Sequence, residues 1–403
     1  MPDSWPKRES TTSFQAVSAI DIDAVRAETP GAAEVVHLNN AGAALPPNPV
    51  LSAEIDFLEA EARKGGYEVA ASRAEDLNRV YDAGALLLGC KPSELAFTQS
   101  ATQAWHTALS VVPLKAGDRV LATTAEYVAN VYGLIQLQRR GVEVELVPDD
   151  EDGRASVDAL ASMLDDRVKL VCATHIPTGG GLVNPVAEIG RLIDDTGALY
   201  LVDATQSVGQ MPLAVDEVAC DLLVLTGRKF LRGPRGTGLL YVRSGLDLLD
   251  PPVMDGRSAA WVGDWDYELS PGAQRYETFE TNLAAKVGLG VAIEYALRIG
   301  LDSIAKRIDE LAEALRTRLA SQPLVKLAEL GGEQSAIVTF YVEGRSTEVV
   351  AAALRAWGIN TSVVQPQPAA FDPTGRTRHG LIRASVHYYN TAEELDDLIA
   401  ALY

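Results

Sequence analysis

Between Glu94 and Val242 short apolar runs alternate with longer amphipathic stretches, and this alternation limits the fold more than any other feature of the chain. The runs ELAFT, RVLAT, VELV, LVCAT, LYLVD, LLVLT and GLLYV are rich in Val and Leu. Short strands that are apolar on both faces belong inside a mostly parallel sheet covered by helices on both sides. Ligands of such sheets bind beyond the carboxyl ends of the strands. The loops that follow these runs are therefore the candidate sites.

The rest of the chain divides around this block. At 403 residues it exceeds one ordinary core. Residues 1–36 read as a polar arm and a short helix that pack with a small C-terminal domain. Residues 37–282 read as a large domain, with one or two helices between Pro49 and Gly89. Past Asn282 the pattern changes to helical stretches over 283–299 and 302–321, then to AIVTFYV, TEVVAAALRAWG, INTSVV, LIRASV and a last helix from Ala392. Residues 283–403 thus read as a smaller α+β domain.

A formal net charge of -20 disfavours nucleic acid and anionic membrane as partners. The opening MPDSWPKRESTTSF lacks the apolar core of an export signal, and no apolar run is long enough to span a bilayer. Cys90, Cys172 and Cys220 show neither metal-ligand spacing nor an even count for a disulfide framework, and the five histidines are scattered. The expectation is a cytoplasmic protein without a metal site.

Two ionisable residues stand out at strand ends. Asp203 closes LYLVD, and Lys229 follows LLVLT by the short link Gly227-Arg228. A lysine just past a buried strand is costly unless it is neutralised or bonded, and a Schiff base achieves both. A carboxylate on a neighbouring strand is placed to pair with a protonated pyridine nitrogen, which makes that ring an electron sink. Taken singly, Asp203 reads better as a helix cap and Lys229 as a surface residue of a glycine-rich turn.

The motifs in order, VDATQ, TGRK, GPRGTG and the closing IRASVHYYNTAEELDDLIAAL, resemble the pyridoxal 5′-phosphate (PLP) enzymes of fold type I, aminotransferase class V. The resemblance runs from about His37 to the C-terminus. It implies an α/β fold with a mostly parallel seven-stranded sheet in a large PLP-binding domain, plus the small domain. Lys229 would be the internal-aldimine lysine and proton shuttle, and Asp203 the partner of the pyridine nitrogen. Gln206 would bond the phenolic oxygen, and Thr226 would bond the phosphate. Ser100, Ala101 and Thr102 match the phosphate loop, where a turn opens a helix, although a plain helix cap fits the same residues. Tyr127 falls where many relatives stack a histidine on the ring, and a tyrosine also offers a flat face. Arg228 replaces a histidine and adds charge near the phosphate.

Arg383 resembles the residue that grips the substrate carboxylate, a task suited to a planar fork. Asn39, Asn40, Ala41 and Gly42 would lie beside it. Thr178 stands where many relatives carry an asparagine near the coenzyme. Glu280 and Asn282 correspond to a loop that reaches the site of a partner subunit, which implies a homodimer acting on a small amino-acid substrate.

One departure bears on the reaction. Desulfurases of this group carry a nucleophilic cysteine on a C-terminal loop. Here INTSVVQPQPAAFDPTGRTRHGLIRAS holds none, with Gln367 at the expected place. The expectation is a C–S β-lyase on a cysteine conjugate or sulfoxide, without a persulfide cysteine. A class V aminotransferase and an amino-acid epimerase are the alternatives within the group. A non-catalytic PLP-binding regulator is the alternative outside it.

Overall fold

The computed structural model describes residues 20–368, 371–372, 375–378 and 380–403. The seven apolar runs form one sheet of seven strands. Its order is Leu95–Thr98, Gly238–Val242, Leu222–Thr226, Leu199–Asp203, Val168–Thr174, Arg119–Ala122 and Glu143–Leu146. Gly238–Val242 runs against both of its neighbours, and the remaining adjacent pairs are parallel. The carboxyl ends Thr98, Ala122, Thr174, Asp203 and Thr226 therefore share one edge.

Alternate residues of each central strand face opposite layers, the period-two pattern of a pleated sheet. Val171, Val202, Leu223 and Leu225 face one apolar core, and Leu170, Cys172, Leu201, Leu222 and Val224 face another. All are buried almost completely, and each large side chain contributes roughly 2 kcal/mol of transfer free energy.

After the short helix Ile22–Ala27, three more helices precede the sheet, Asn48–Lys64, Gly66–Ser72 and Ala74–Leu88. Gly65 separates the first two at φ 96°, and Gly89 ends the third in the left-handed region. The expectation of one or two helices between Pro49 and Gly89 falls short of these three because periodicity does not register the break at Gly65. Helix Leu283–Ile299 packs on this layer, and a Cβ at Gly290 would come within 3.1 Å of the Val80 backbone nitrogen. Helix Leu301–Ala320 follows it.

A second sheet of four antiparallel strands holds Val325–Leu327, Ile337–Val342, Leu381–Ser385 and Ser362–Val364. Val36–His37 pairs with Ile359–Asn360, and Asn39 bridges to Ser385. The segment before the first helix layer is thus stitched to the C-terminal sheet. A hairpin over Ala259–Gly263 and Asp266–Leu269 stands out from the surface, with Trp265 at its turn 99% exposed. Residues 1–19 of the expected arm lie outside the described residues. Among the described residues no helix is long and apolar enough to cross a membrane.

Candidate active site

The shared edge of the sheet opens onto a cavity of about 240 Å³. Lys229 and Asp203 both line it, together with Ser100, Ala101, Thr102, Tyr127, Thr178, Gln206, Thr226 and Arg228. One edge of one sheet thus gathers ten of the residues that the sequence singled out.

Lys229 sits in the link between Leu222–Thr226 and the returning strand Gly238–Val242. The link is tight: a Cβ at Gly227 would lie 2.3 Å from the Thr237 hydroxyl, so only glycine fits there. Arg232, at φ 61° and almost wholly buried, anchors the link. Its guanidinium donates to the Leu45 carbonyl and the Tyr388 hydroxyl, each at 2.8 Å, and to the Thr29 hydroxyl. It also lies over the Tyr389 ring. Burial pulls the Lys229 amine down to about 7; neighbouring Arg228 adds to this and Asp203 opposes it. An amine partly neutral near pH 7 is a competent nucleophile toward a carbonyl.

Asp203 is held on both oxygens. Oδ1 accepts from the Thr205 backbone N–H at 2.9 Å, and Oδ2 accepts from the Asn130 amide at 2.8 Å. At the other end of the cavity Ser100 caps helix Ala101–Val111, its hydroxyl accepting from the Gln103 N–H at 3.1 Å. The capping expectation therefore holds for its side chain, while the first backbone N–H groups of the helix lack intrahelical partners. Arg228 donates to the Thr226 hydroxyl at 3.0 Å, and Arg235 lines the same end. Two guanidinium groups and a helix N-terminus make this end a cradle for an anion.

A second cavity of about 350 Å³ shares Tyr127, Thr178, Arg228 and Lys229 with the first and extends to Ala41, Gly42 and Arg383. Arg383 comes from the four-stranded sheet. It donates to the Thr178 hydroxyl at 2.7 Å, to the Thr178 carbonyl at 2.9 Å and to the Asn39 side chain at 3.3 Å. Burial lowers its pKa to about 10, and its Nε has no partner among the described residues. Gln206 donates to the Ala41 carbonyl and the Thr178 hydroxyl, at 3.1 and 3.0 Å.

Three expected residues sit elsewhere. Asn40 lines neither cavity: it is fully buried, its amide donates to the His37 and Ser385 carbonyls, and its carbonyl accepts from the Tyr389 hydroxyl. The adjacent Asn39 faces Arg383 instead: it bridges to Ser385, and the chain turns directly after it, with the Gly42 and Ala43 N–H groups donating to its carbonyl. Asn282 caps helix Leu283–Ile299 by accepting from the Ala285 N–H, and Glu280 lines a separate cavity with Tyr67 and Phe279. Neither reaches Lys229 within one chain. Sequence reasoning missed Arg235, Thr205 and Thr174. Arg235 lies in the GPRGTG motif, so its glycine-rich setting was the available signal.

The aminotransferase class-V family model matches residues 36–398. The chain belongs to this family. It is 30% identical over 384 residues to a probable cysteine desulfurase of Methanothermobacter thermautotrophicus, covering 92% of this chain and 94% of that protein. It is 29% identical to a cysteine desulfurase of Escherichia coli over 94% of this chain and 97% of the relative. The apo cysteine desulfurase of Thermococcus onnurineus superposes with a TM-score of 0.86 at 25% identity, covering 96% of this chain and 98% of that one.

As a class V member the protein is a PLP-dependent enzyme. The residues present fit that coenzyme: an anion cradle, a carboxylate and a lysine on the walls of one cavity, and a buried Gln206 Oε1 and Thr205 Oγ1 without a partner among the described residues. PLP supplies an electron sink for bonds broken at the amino-acid Cα. The chain supplies the rest. Asp203 would hold the ring nitrogen cationic, Ala101, Thr102, Arg228 and Arg235 would hold the phosphate, and Lys229 would carry the proton taken from Cα.

Proposed function

We propose that this enzyme is a C–S β-lyase that cleaves a cysteine conjugate or its sulfoxide without placing sulfur on a cysteine of its own. The observation that carries the reading is a joined pair of cavities with Lys229, Asp203 and Arg383 on their walls and no thiol among the described residues that line them. Cys172 and Cys220 are buried at the sheet, and burial pushes both thiols well above their usual value. Burial also lifts the half-buried Cys90 to about 12, with Glu94 adding to the effect. A thiol held protonated is a poor nucleophile. The relatives named cysteine desulfurases break the same bond, which supports C–S chemistry here.

In this reading Arg383 binds the α-carboxylate and Lys229 takes the Cα proton. The sulfur substituent points toward Pro177, Val363, Val364 and Phe371, an apolar wall of the second cavity. The Cα proton and the Cβ sulfur group leave as a thiol, or as a sulfenic acid from a sulfoxide, and water converts the remaining three-carbon unit to pyruvate and ammonia, with no oxidant or reductant required.

The same reading makes the protein a cytosolic homodimer with a large domain over 37–282 and a small one over 283–403. The exposed Tyr67 and Phe279 beside Glu280 support a partner surface there.

The test is one incubation of the holoenzyme with S-substituted cysteines, their sulfoxides and common amino acids. Pyruvate, new keto acids and inverted amino acids are assayed in parallel, with mass spectrometry of the protein. Pyruvate with ammonia and no added sulfur mass is the expected result. A persulfide on the protein, or keto acid without ammonia, would turn the assignment to a desulfurase or an aminotransferase.

A further inference from the structure

Joined to Asp203 through Asn130 is a buried carboxyl group that the chemistry above does not use. Glu126 is 8% exposed and takes all its hydrogen bonds from neutral donors. Thr123 donates to Oε1 at 2.6 Å; Thr174 and the Asn130 amide donate to Oε2 at 2.7 and 2.9 Å. The same Asn130 nitrogen donates to Asp203 Oδ2 at 2.8 Å. One NH₂ group therefore spends its two hydrogens on two carboxyl groups.

This arrangement fixes the amide. Turning Asn130 over would set its carbonyl oxygen against two acceptors, so the orientation seen is the only one that satisfies all three groups. Glu126 is itself pinned at the ends of strands Arg119–Ala122 and Val168–Thr174 through Thr123 and Thr174. Asn130 stands in the first turn of helix Val128–Arg139. The chain Glu126–Asn130–Asp203 thus ties two strand ends and a helix to the carboxylate facing Lys229. A lone buried carboxyl is expensive unless something is gained from it. Burial raises the Glu126 pKa, with Asp203 adding to the rise, so this group is kept at a cost.

We infer that Glu126 is a positioning residue, acting through Asn130 to hold Asp203 in line with the ring nitrogen of the bound coenzyme. Orientation rather than charge is the quantity it supplies. The inference uses PLP at Lys229 and is independent of which group leaves the substrate.

Three variants of the full-length protein test it: Glu126→Ala, Asn130→Ala and Glu126→Gln. The readouts are the dissociation constant for PLP and the visible circular dichroism per bound coenzyme, which reports how the ring is seated. Neither needs a substrate, so the result stands apart from the lyase reading. Melting temperature of the apoprotein serves as the control for stability. We expect both alanine variants to raise the dissociation constant about tenfold, the scale of losing an outer partner of a held group, and to lose much of the dichroism. Glutamine keeps an acceptor oxygen for Asn130 and should stay within about threefold of the parent. Wild-type binding and dichroism in Asn130→Ala would overturn the inference, and so would equal losses in Glu126→Gln and Glu126→Ala. Should Glu126→Ala fail to fold, the comparison of Asn130→Ala with Glu126→Gln decides alone.

Discussion

Arg383 donates to both the hydroxyl and the carbonyl of Thr178, at 2.7 and 2.9 Å, so a strand of the small sheet is tied to the loop beyond Thr174. The same hydroxyl accepts from Gln206. One small side chain therefore registers the carboxylate-binding arginine against the coenzyme cavity. Replacing Thr178 with Val removes the acceptor and keeps the shape. KM for an α-carboxylate substrate should rise about tenfold with a smaller change in kcat. Arg383→Ala should raise KM more, by about a hundredfold, because a charged bidentate contact is lost. Steady-state kinetics on the same substrate compares the two.

The lowered pKa of Lys229 gives uptake of coenzyme a pH dependence. The amine is charged below about pH 7 and neutral above it, and only the neutral form attacks an aldehyde. The rate of borohydride-trappable PLP incorporation into the apoprotein should climb through pH 7 and level off above it. A midpoint near the ordinary lysine value would mean that burial does not tune this group. Lys229→Ala should give no trapped coenzyme and no turnover at any pH.

Asp203→Ala should retain coenzyme through the phosphate cradle and Lys229 but lose turnover by a hundredfold or more, on the order of 3 kcal/mol. Spectroscopic occupancy and kcat measured on the same sample separate the two effects.

Gly227 is boxed in by Thr237 and Leu289, whose side chains would stand 2.3 and 2.6 Å from a methyl carbon added there. Gly227→Ala should destabilise the protein by about 1–3 kcal/mol through overpacking. It should also displace Lys229, so that thermal melting and PLP affinity fall together.

Much of this was legible in the sequence because the signals were local. Each of the seven apolar runs became a strand of one sheet, since a strand buried on both faces has little freedom to be anything else. Lys229, Asp203, Thr226 and Gln206 converge because they follow strands that end at one edge. What was illegible depended on side-chain direction or on distant pairing. Asn39 and Asn40 are neighbours with opposite orientations, and only the bridge to Ser385 decides which one faces Arg383. The roles of Asn130 and Thr174 come from contacts across the sheet. The hairpin over 259–269 was not read from the sequence: it turns at Asp264-Trp265, and its exposed aromatics gave no core periodicity to follow.

Arg232 joins the lysine-bearing link to Thr29 near one end of the chain and to Tyr388 and Tyr389 near the other. Segments far from Lys229 in chain order are thereby mechanical supports of the reactive amine, coupled to it through one guanidinium. A change at Thr29, Tyr388 or Tyr389 acts on the seat of Lys229 without touching the cavity it lines.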